Sequence, residues 1–304
     1  MKQILIILIG VSIFSCFKGF ADQEGKMTVD ENQGAEIRFI YAPNSPPFAF
    51  KKNNKLVGFD IDIGEAIGKE LGKKVTWRGV PFDIRNYANI LESDGADAVI
   101  AAITITKIRK YFVDFTRPYF TAALAVAART ETKWDQRAFA RGLEGKIVGV
   151  QEGTTGEDWV RYNLKAIIKI YDTPVSLVRA LNRGGNLAYA IVIDDAMLDY
   201  LRKQKMTDFK IVEKNLAQED YGIAVSNGAF EVLAALNFAL QNLELGGEYD
   251  RIYNKWFGSE KTEATTQPEA APETEAAIQP EAAPEPEAAP EPETTPKTLR
   301  RRRN

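Results

Sequence analysis

The sequence predicts an α/β protein of two lobes, each a mainly parallel sheet flanked by helices, with two crossing segments that join the lobes. Strand and helix patterns alternate in a first unit over residues 37–103 and again over residues 146–193. Two extended segments, residues 124–128 and 222–226, lie between the ends of these units and are interpreted as the crossings. Lobes of about a hundred residues each are large enough to have their own cores.

The first unit has a β-α-β-α-β order, which is typical of a parallel sheet covered by helices. Asp60 is predicted to cap its first helix, which carries apolar residues at helical spacing and ends just before Gly72. The predicted elements are, in order, strand Glu36–Tyr41, the helix after Asp60, strand 75–80, helix 84–91 and strand 98–103.

The second unit repeats this order and is followed by helices that are predicted to return to the first lobe. Thr173 and Pro174 mark the start of one helix, because threonine accepts from the first turn and proline suits the first helical position. The predicted elements are strand 146–150, a helix after the turn 153–156, strand Ile167–Tyr171, the helix ending at Arg183, strand 189–193, the long helix Phe230–Leu245 and an aromatic cluster of Tyr249, Tyr253, Trp256 and Phe257.

The composition excludes several kinds of chemistry. The chain has 304 residues and no histidine, which removes the commonest general base and the commonest metal ligand. Its one cysteine, Cys16, precedes the predicted fold, so a thiolate metal site, a disulfide and a thiol nucleophile are excluded there. A formal net charge of −3 gives no reason to expect a nucleic acid partner. We expect no metal and no cofactor.

Both ends of the chain differ from the predicted fold. Lys2 precedes an apolar run at residues 4–17, which has the length of a signal peptide and is too short for a confident membrane span. Either residues 1–21 are a secretory signal, or a lipoprotein signal ends before Cys16, whose lipidation would anchor the protein to the membrane. Both alternatives predict an exported protein, periplasmic or envelope-associated.

Residues 22–36 are interpreted as an N-terminal linker and residues 259–304 as a disordered tail rich in Pro, Glu and Ala. The tail ends in four arginines at residues 300–303, and it is either a solvated spacer or a contact with an anionic surface.

Three features of the predicted fold favour a small ligand with both charges. Arg109 follows strand 98–103, within a segment (106–112) predicted to form one or two helical turns, at the edge where open α/β sheets bind ligands. Its guanidinium can hold a carboxylate with two hydrogen bonds, although it could also be an ordinary surface arginine. Backbone N–H groups of the turn 153–156 could bind an anion, or the turn could simply carry a threonine cap. Asp194 is predicted to face the cleft and Asp195 to cap a helix at 196–202. Two hydrogen-bond donors, Arg109 and the N–H groups of the turn, suit a carboxylate, and one acceptor, Asp194, suits an ammonium. Together they suit a free α-amino acid.

The chain resembles the polar-amino-acid family of periplasmic solute-binding proteins that feed ABC importers (bacterial extracellular solute-binding proteins, family 3). The resemblance covers residues 37–258 and lies in PPFAF (46–50), LVGFDIDIGEAIGKELG (56–72), AAITITKIRKYFVDFTRPYF (101–120), GKIVGVQEGTTGEDW (145–159), IVIDDAMLDYL (191–201), YGIAVSNG (221–228) and YDRIYNKWFG (249–258). It implies a two-lobed periplasmic-binding-protein fold, with lobe 1 at 37–127 and 222–258 and lobe 2 at 128–221.

The resemblance also implies a function. The protein would capture an amino acid or a close analogue in the cleft between its lobes, by hinge closure, and deliver it to a membrane ABC permease without catalysis. Two alternatives stay open: a cyclohexadienyl or arogenate dehydratase on the same scaffold, and an envelope sensor.

Site roles follow from the same resemblance. Arg109 would hold the ligand carboxylate with the help of Thr104 and the backbone at Thr154 and Thr155. The ligand ammonium would pair with Asp194 and with the carbonyl of Ala102. Gln151 would contact the ligand side chain.

The chain departs from the family at the walls of the cleft. Ser45 and Ile84 stand where aromatic residues normally enclose the ligand, although Phe82 is near, and Ala42 replaces an acidic residue of binders of basic side chains. These changes predict a wider pocket and an amino-acid-like ligand of non-standard type, other than lysine or arginine.

Overall fold

The computed structural model of the protein describes residues 36–93, 95–135, 139–204 and 208–258. The signal segment with Cys16, the linker up to residue 35 and the tail from residue 259 lie outside the described residues. Among the helices of the described ranges, none has the length and apolar character that a bilayer crossing requires.

The observed elements follow the predicted alternation closely. In chain order they are β1 Glu36–Tyr41, β2 Phe50–Lys52, β3 Lys55–Val57, α1 Phe59–Glu70, β4 Lys74–Gly79, α2 Ile84–Glu92, β5 Ala98–Thr104, β6 Asp114–Phe115, β7 Phe120–Arg129, α3 Phe139–Gly142, β8 Ile147–Gln151, α4 Thr155–Asn163, β9 Ile167–Tyr171, α5 Pro174–Arg183, β10 Ala190–Asp194, α6 Asp195–Lys203, β11 Phe209–Glu213, β12 Gln218–Val225, α7 Phe230–Leu245 and α8 Glu248–Phe257.

The main sheet has the strand order β4-β1-β5-β12-β7-β10-β8-β9, with β6 beside β12 and β11 beside β7. Pairing is parallel within the group β4-β1-β5 and within the group β10-β8-β9. The central strands β12 and β7 are antiparallel to their neighbours and to each other. The two-lobed α/β fold with two crossing strands is therefore confirmed.

The crossings lie a few residues earlier than predicted. Phe120 pairs with Tyr221 and Ala123 pairs with Gln218, so that the two crossing strands run side by side. From Leu124 onward β7 pairs instead with β10 of the second lobe. The exact lobe limits, 127 and 222, stay predictions.

The C-terminal helices return to the first lobe, as predicted. The Phe257 ring of α8 lies 4.8 Å from the Phe120 ring and 5.1 Å from the Phe59 ring of α1, measured between centroids. Phe48 also packs in this aromatic cluster and is fully buried. Burial of such large rings is worth roughly 1.5–3 kcal/mol each, so the cluster ties α8 to the first lobe.

One predicted cap is confirmed and two are wrong. Thr173 and Ser176 form a reciprocal capping box at the start of α5, with Pro174 in the first position. Helix α1 begins after Gly58 instead of at Asp60, whose buried carboxylate accepts a hydrogen bond of 2.9 Å from the Ala102 N–H.

Helix α6 begins with Asp195, whose Oδ1 accepts from the Ala123 N–H at 3.1 Å instead of capping the helix. Both carboxylates are drawn to backbone donors on neighbouring strands. The segment 106–112, predicted to form one or two helical turns, contains one 3₁₀ turn at Arg109–Tyr111.

Candidate functional site

Nine of the ten site residues predicted from the sequence line one cavity. The cavity is enclosed by Ser45, Phe82, Ala101, Ala102, Thr104, Arg109, Gln151, Thr154, Thr155, Asp194 and Met197. Ala101 and Met197 were not predicted, and Ile84 is not part of the lining. Whether these residues hold a ligand stays a prediction.

The topology explains why distant residues meet here. Thr104, Gln151 and Asp194 are the last residues of β5, β8 and β10. Open α/β sheets bind ligands in the crevice outside the carboxyl ends of their strands. The cavity thus receives one strand end from the first lobe and two from the second.

Arg109 spans the two sides of the cavity. Its side chain is buried, Nη1 donates to the Thr104 carbonyl at 2.9 Å, and Nη2 donates to the Gly153 carbonyl at 3.2 Å. The guanidinium carbon lies 5.4 Å from the centre of the Phe82 ring, within range of a cation–π interaction. Burial lowers the pKa of Arg109, while the charges of Glu219 and Asp194 oppose that change.

The start of α4 supplies further donors. Thr154 caps this helix, accepting from the Glu157 N–H at 3.3 Å and donating its own hydroxyl hydrogen to the Gln151 carbonyl at 2.8 Å. Among the described residues, no hydrogen-bond partner serves the N–H groups of positions 154–156. Free N–H groups at a helix start attract anions. Together with Arg109 they form a donor set that suits a carboxylate.

Asp194 supplies the opposite charge. Its Oδ1 is buried and accepts no hydrogen bond of standard geometry within the described ranges, although the buried Tyr221 hydroxyl lies close to this carboxylate and favours its ionised form. Burial raises the pKa of Asp194 to about 7, and the nearby Glu219 carboxylate adds to the rise. Buried polar atoms in proteins almost always have partners, so this oxygen is suited to accept from a ligand ammonium.

Ala102 has an unusual backbone conformation at the cavity wall. Its φ of +48° lies in the left-handed region that is uncommon for residues other than glycine. Its N–H donates to Asp60 and, at 3.2 Å, to the Tyr119 hydroxyl, which itself donates to Asp60 at 2.8 Å. Burial raises the pKa of Asp60 to about 7, although the hydrogen bonds that Asp60 accepts from Tyr119 and Ala102 favour the ionised carboxylate. The buried network therefore fixes a strained peptide where the resemblance placed a ligand contact.

We expect Ala102→Gly to raise the free energy of unfolding of the ligand-free protein by about 1 kcal/mol, because glycine adopts a positive φ without strain. The matching rise in Tm is about 2–4 °C for a domain of this size. Thermal unfolding of the variant measures both. Ala101→Gly, at the preceding buried strand position, is the control and should be destabilised. If Tm fell for both variants, the proposal that the Ala102 backbone is strained would be wrong.

The aromatic side of the cavity is formed by Phe82 and not by Ile84. Asp83 caps α2, accepting from the N–H groups of Arg85 and Asn86, and Ile84 is then the first helical residue. Ile84 packs against the hydrophobic cluster that contains Tyr87 and Val99. The position two residues earlier, Phe82, faces the cavity.

The cavity is small, and the predicted widening relative to the family stays a prediction. The cavity has a volume of about 20 Å³, which is room for one or two water molecules. Phe82 and Met197 are the large apolar side chains of its lining, and Met197 is only 5% exposed. Entry of an amino acid would therefore require the walls to move apart.

Glu219 is a buried residue beside the cavity that the sequence argument missed. It lies on β12, and its Oε2 accepts from the hydroxyls of Thr104 and Thr155. The second crossing is predicted to begin at Gly222, which leaves Glu219 outside every predicted strand. An acidic residue two positions before the apolar run 221–225 was the available signal, because alternate residues of a strand share a face.

The chain matches the family model described as bacterial extracellular solute-binding proteins, family 3, over residues 37–259. It is 27% identical over 266 residues to the L-cystine-binding protein TcyJ of Escherichia coli strain K12, covering 86% of this chain and 97% of that protein. It is 29% identical over 235 residues to the arginine-binding periplasmic protein of Mannheimia haemolytica, covering 74% and 93%.

Solved structures agree with these sequence matches. An ancestral arginine-binding protein bound to arginine is 38% identical and superposes with a TM-score of 0.67, covering 74% of this chain and 99% of that one. The family match includes every described strand and helix except for Glu36, the first residue of β1. The chain belongs to family 3 of the bacterial extracellular solute-binding proteins.

Proposed function

We propose that the protein captures a free amino acid or a close analogue in the cavity between its lobes and delivers it to a membrane ABC permease. The observation that carries this proposal is the charge arrangement of one buried cavity. Arg109 and the free N–H groups of residues 154–156 suit a carboxylate, and the unpartnered Asp194 oxygen suits an ammonium.

The relatives support the same ligand class. Their names refer to cystine and arginine, and one similar solved structure contains arginine. These ligands share the α-ammonium and α-carboxylate groups that the charges of the cavity suit. The membership of the family also supports export to the periplasm or cell exterior, with either a cleaved signal or a lipid on Cys16.

Capture requires the lobes to separate and close. Arg109 and Asp194 lie on opposite lobes, and the cavity between them, with a volume of about 20 Å³, has too little space for an amino acid. The crossing strands β7 and β12 are the covalent links between the lobes, so bending within them is the route to opening.

Native mass spectrometry of the full chain, purified without added ligand, tests the proposal. We expect the spectrum to show a bound small molecule. Calorimetry with that molecule and with the twenty common amino acids should then show one binding site per chain. The absence of any binding would overturn the proposal. Conversion of a bound cyclic carboxylate into a dehydrated product would favour the dehydratase alternative, and an envelope sensor would bind its ligand without supporting uptake.

A further inference from the structure

Glu219 connects the two lobes at the edge of the cavity. One carboxylate oxygen, Oε2, accepts a hydrogen bond from the Thr104 hydroxyl at the end of β5 and another, of 2.8 Å, from the Thr155 hydroxyl at the start of α4. The side chain is on the crossing strand β12 and is only 2% exposed. This carboxylate therefore sets the orientation of two hydroxyls that line the cavity.

These bonds determine what the hydroxyls can offer a ligand. A threonine hydroxyl has a single hydrogen to donate, and Thr104 and Thr155 both donate theirs to Glu219. The hydroxyl of Thr154 likewise donates to the Gln151 carbonyl. All three threonines on the cavity wall therefore present acceptors to a ligand, which suits N–H groups and disfavours additional carboxylate oxygens.

The charges around the cavity also favour a ligand that carries additional positive charge. Arg109 is its positive group, and the carboxylates that act on Arg109 most strongly are Glu219, Asp194 and Asp158. The α-carboxylate and α-ammonium of an amino acid add no net charge. With Asp194 and Glu219 ionised, negative charge is in excess even after a neutral amino acid binds, although burial raises the pKa of both carboxylates. Charges in such surroundings interact strongly.

We propose that Glu219 is a specificity-determining residue that makes the cavity select an amino acid with a cationic side chain and reject an acidic one. This inference rests on the proposed function of amino-acid capture. It differs from the expectation drawn from Ala42, which lacks the acidic group seen in binders of basic side chains. Glu219 supplies a carboxylate from another strand, since β12 brings it against Thr104.

Three ligands of equal chain length separate charge from size: L-ornithine, L-glutamine and L-glutamate. We expect calorimetry on the wild-type protein to show ornithine binding about tenfold or more tightly than glutamine, with glutamate the weakest. In Glu219→Gln the amide oxygen can still accept both hydroxyl hydrogens, as Oε2 does, and the negative charge is gone. The ratio of ornithine to glutamine affinity should then fall toward one, and glutamate should gain.

Two further variants complete the test. Glu219→Asp retains the charge and should keep the order of the three ligands even if every affinity falls. Asp220→Asn is the matched control, because Asp220 is the next residue of the same strand and accepts from Thr121 and Gln218 outside the cavity. It should leave the affinity ratios unchanged.

The possible outcomes are distinct. Equal wild-type affinity for ornithine and glutamine, or an equal loss for all three ligands in Glu219→Gln, would overturn the role in specificity while amino-acid capture stands. Binding of no amino acid by the wild type would overturn both proposals. If Glu219→Gln fails to fold, the wild-type order and its retention in Glu219→Asp decide the question.

Discussion

Arg109→Ala is expected to lower the affinity for the bound amino acid by more than about a hundredfold. Breaking a buried charge pair by removing one partner typically costs about 3–5 kcal/mol, because the other charge is left uncompensated. In this protein we expect the loss of affinity to exceed that caused by removing a single ligand contact. The Thr104 and Gly153 carbonyls lose their donors, and Asp194 and Glu219 lose their neutralising charge.

Arg109→Lys separates charge from geometry. Lysine retains the positive charge but has no planar fork with which to reach two carbonyls and a carboxylate together, so we expect a loss intermediate between wild type and Arg109→Ala. Arg85→Ala is the matched control, since Arg85 also lies over an aromatic ring, at 5.7 Å from Phe112, but on the exposed side of α2.

Calorimetry with the ligand identified by native mass spectrometry measures these affinities, and circular dichroism establishes that each variant is folded. A folded Arg109→Ala protein with near-native affinity would show that the ligand carboxylate lies elsewhere.

The features that sequence reasoning found are those set by neighbouring residues. The Thr173 capping box joins residues three apart, and apolar runs placed strands β1, β4, β5, β8, β9 and β10 within one residue of their observed ends, whereas β7 and β12 begin four residues earlier than predicted. The strand ends in turn brought Thr104, Gln151 and Asp194 to one edge, as the rule for parallel sheets requires.

The features it missed depend on partners that are distant in the chain. Asp60 and Asp195 resemble helix caps locally, but their carboxylates accept from Ala102 and Ala123, which are 42 and 72 residues away. Glu219 meets Thr104 across 115 residues. No periodicity or spacing encodes such a pairing, because it exists only once the crossing strands have aligned the two lobes.

Asp194→Asn is expected to stabilise the ligand-free protein while greatly weakening amino-acid binding. The pKa of Asp194 is raised from 3.8 to about 7 in the folded protein, mainly by burial. The folded state therefore binds more protons than the unfolded state between these pH values, and stability falls as pH rises through this window. Above pH 7 the destabilisation is complete, on the order of a few kcal/mol.

An asparagine has no charge to bury, so the advantage of Asp194→Asn over wild type should grow from pH 5 to pH 8. Denaturant unfolding of the ligand-free proteins at these two pH values measures it. Asp60 has a similarly raised pKa, but it is present in both proteins, and its contribution cancels in the comparison. Asp195→Asn is the control, because its carboxylate is engaged by the Ala123 N–H and the change should give no such gain.

Ligand affinity should show the opposite pH dependence to stability, because it should rise with pH. Only the ionised Asp194 pairs with an ammonium, so wild-type affinity should fall below pH 7, by up to about tenfold per pH unit. Asp194→Asn should lose this pH dependence and should weaken an amino acid far more than the same ligand without its amino group. If both ligands lose equally, or if the ligand-free variant gains no stability at pH 8, the Asp194 carboxylate serves the fold and does not bind the ammonium. A stability gain combined with a selective loss of amino-acid binding is expected only of a carboxylate that is buried at a cost to folding and becomes paired when the ligand arrives.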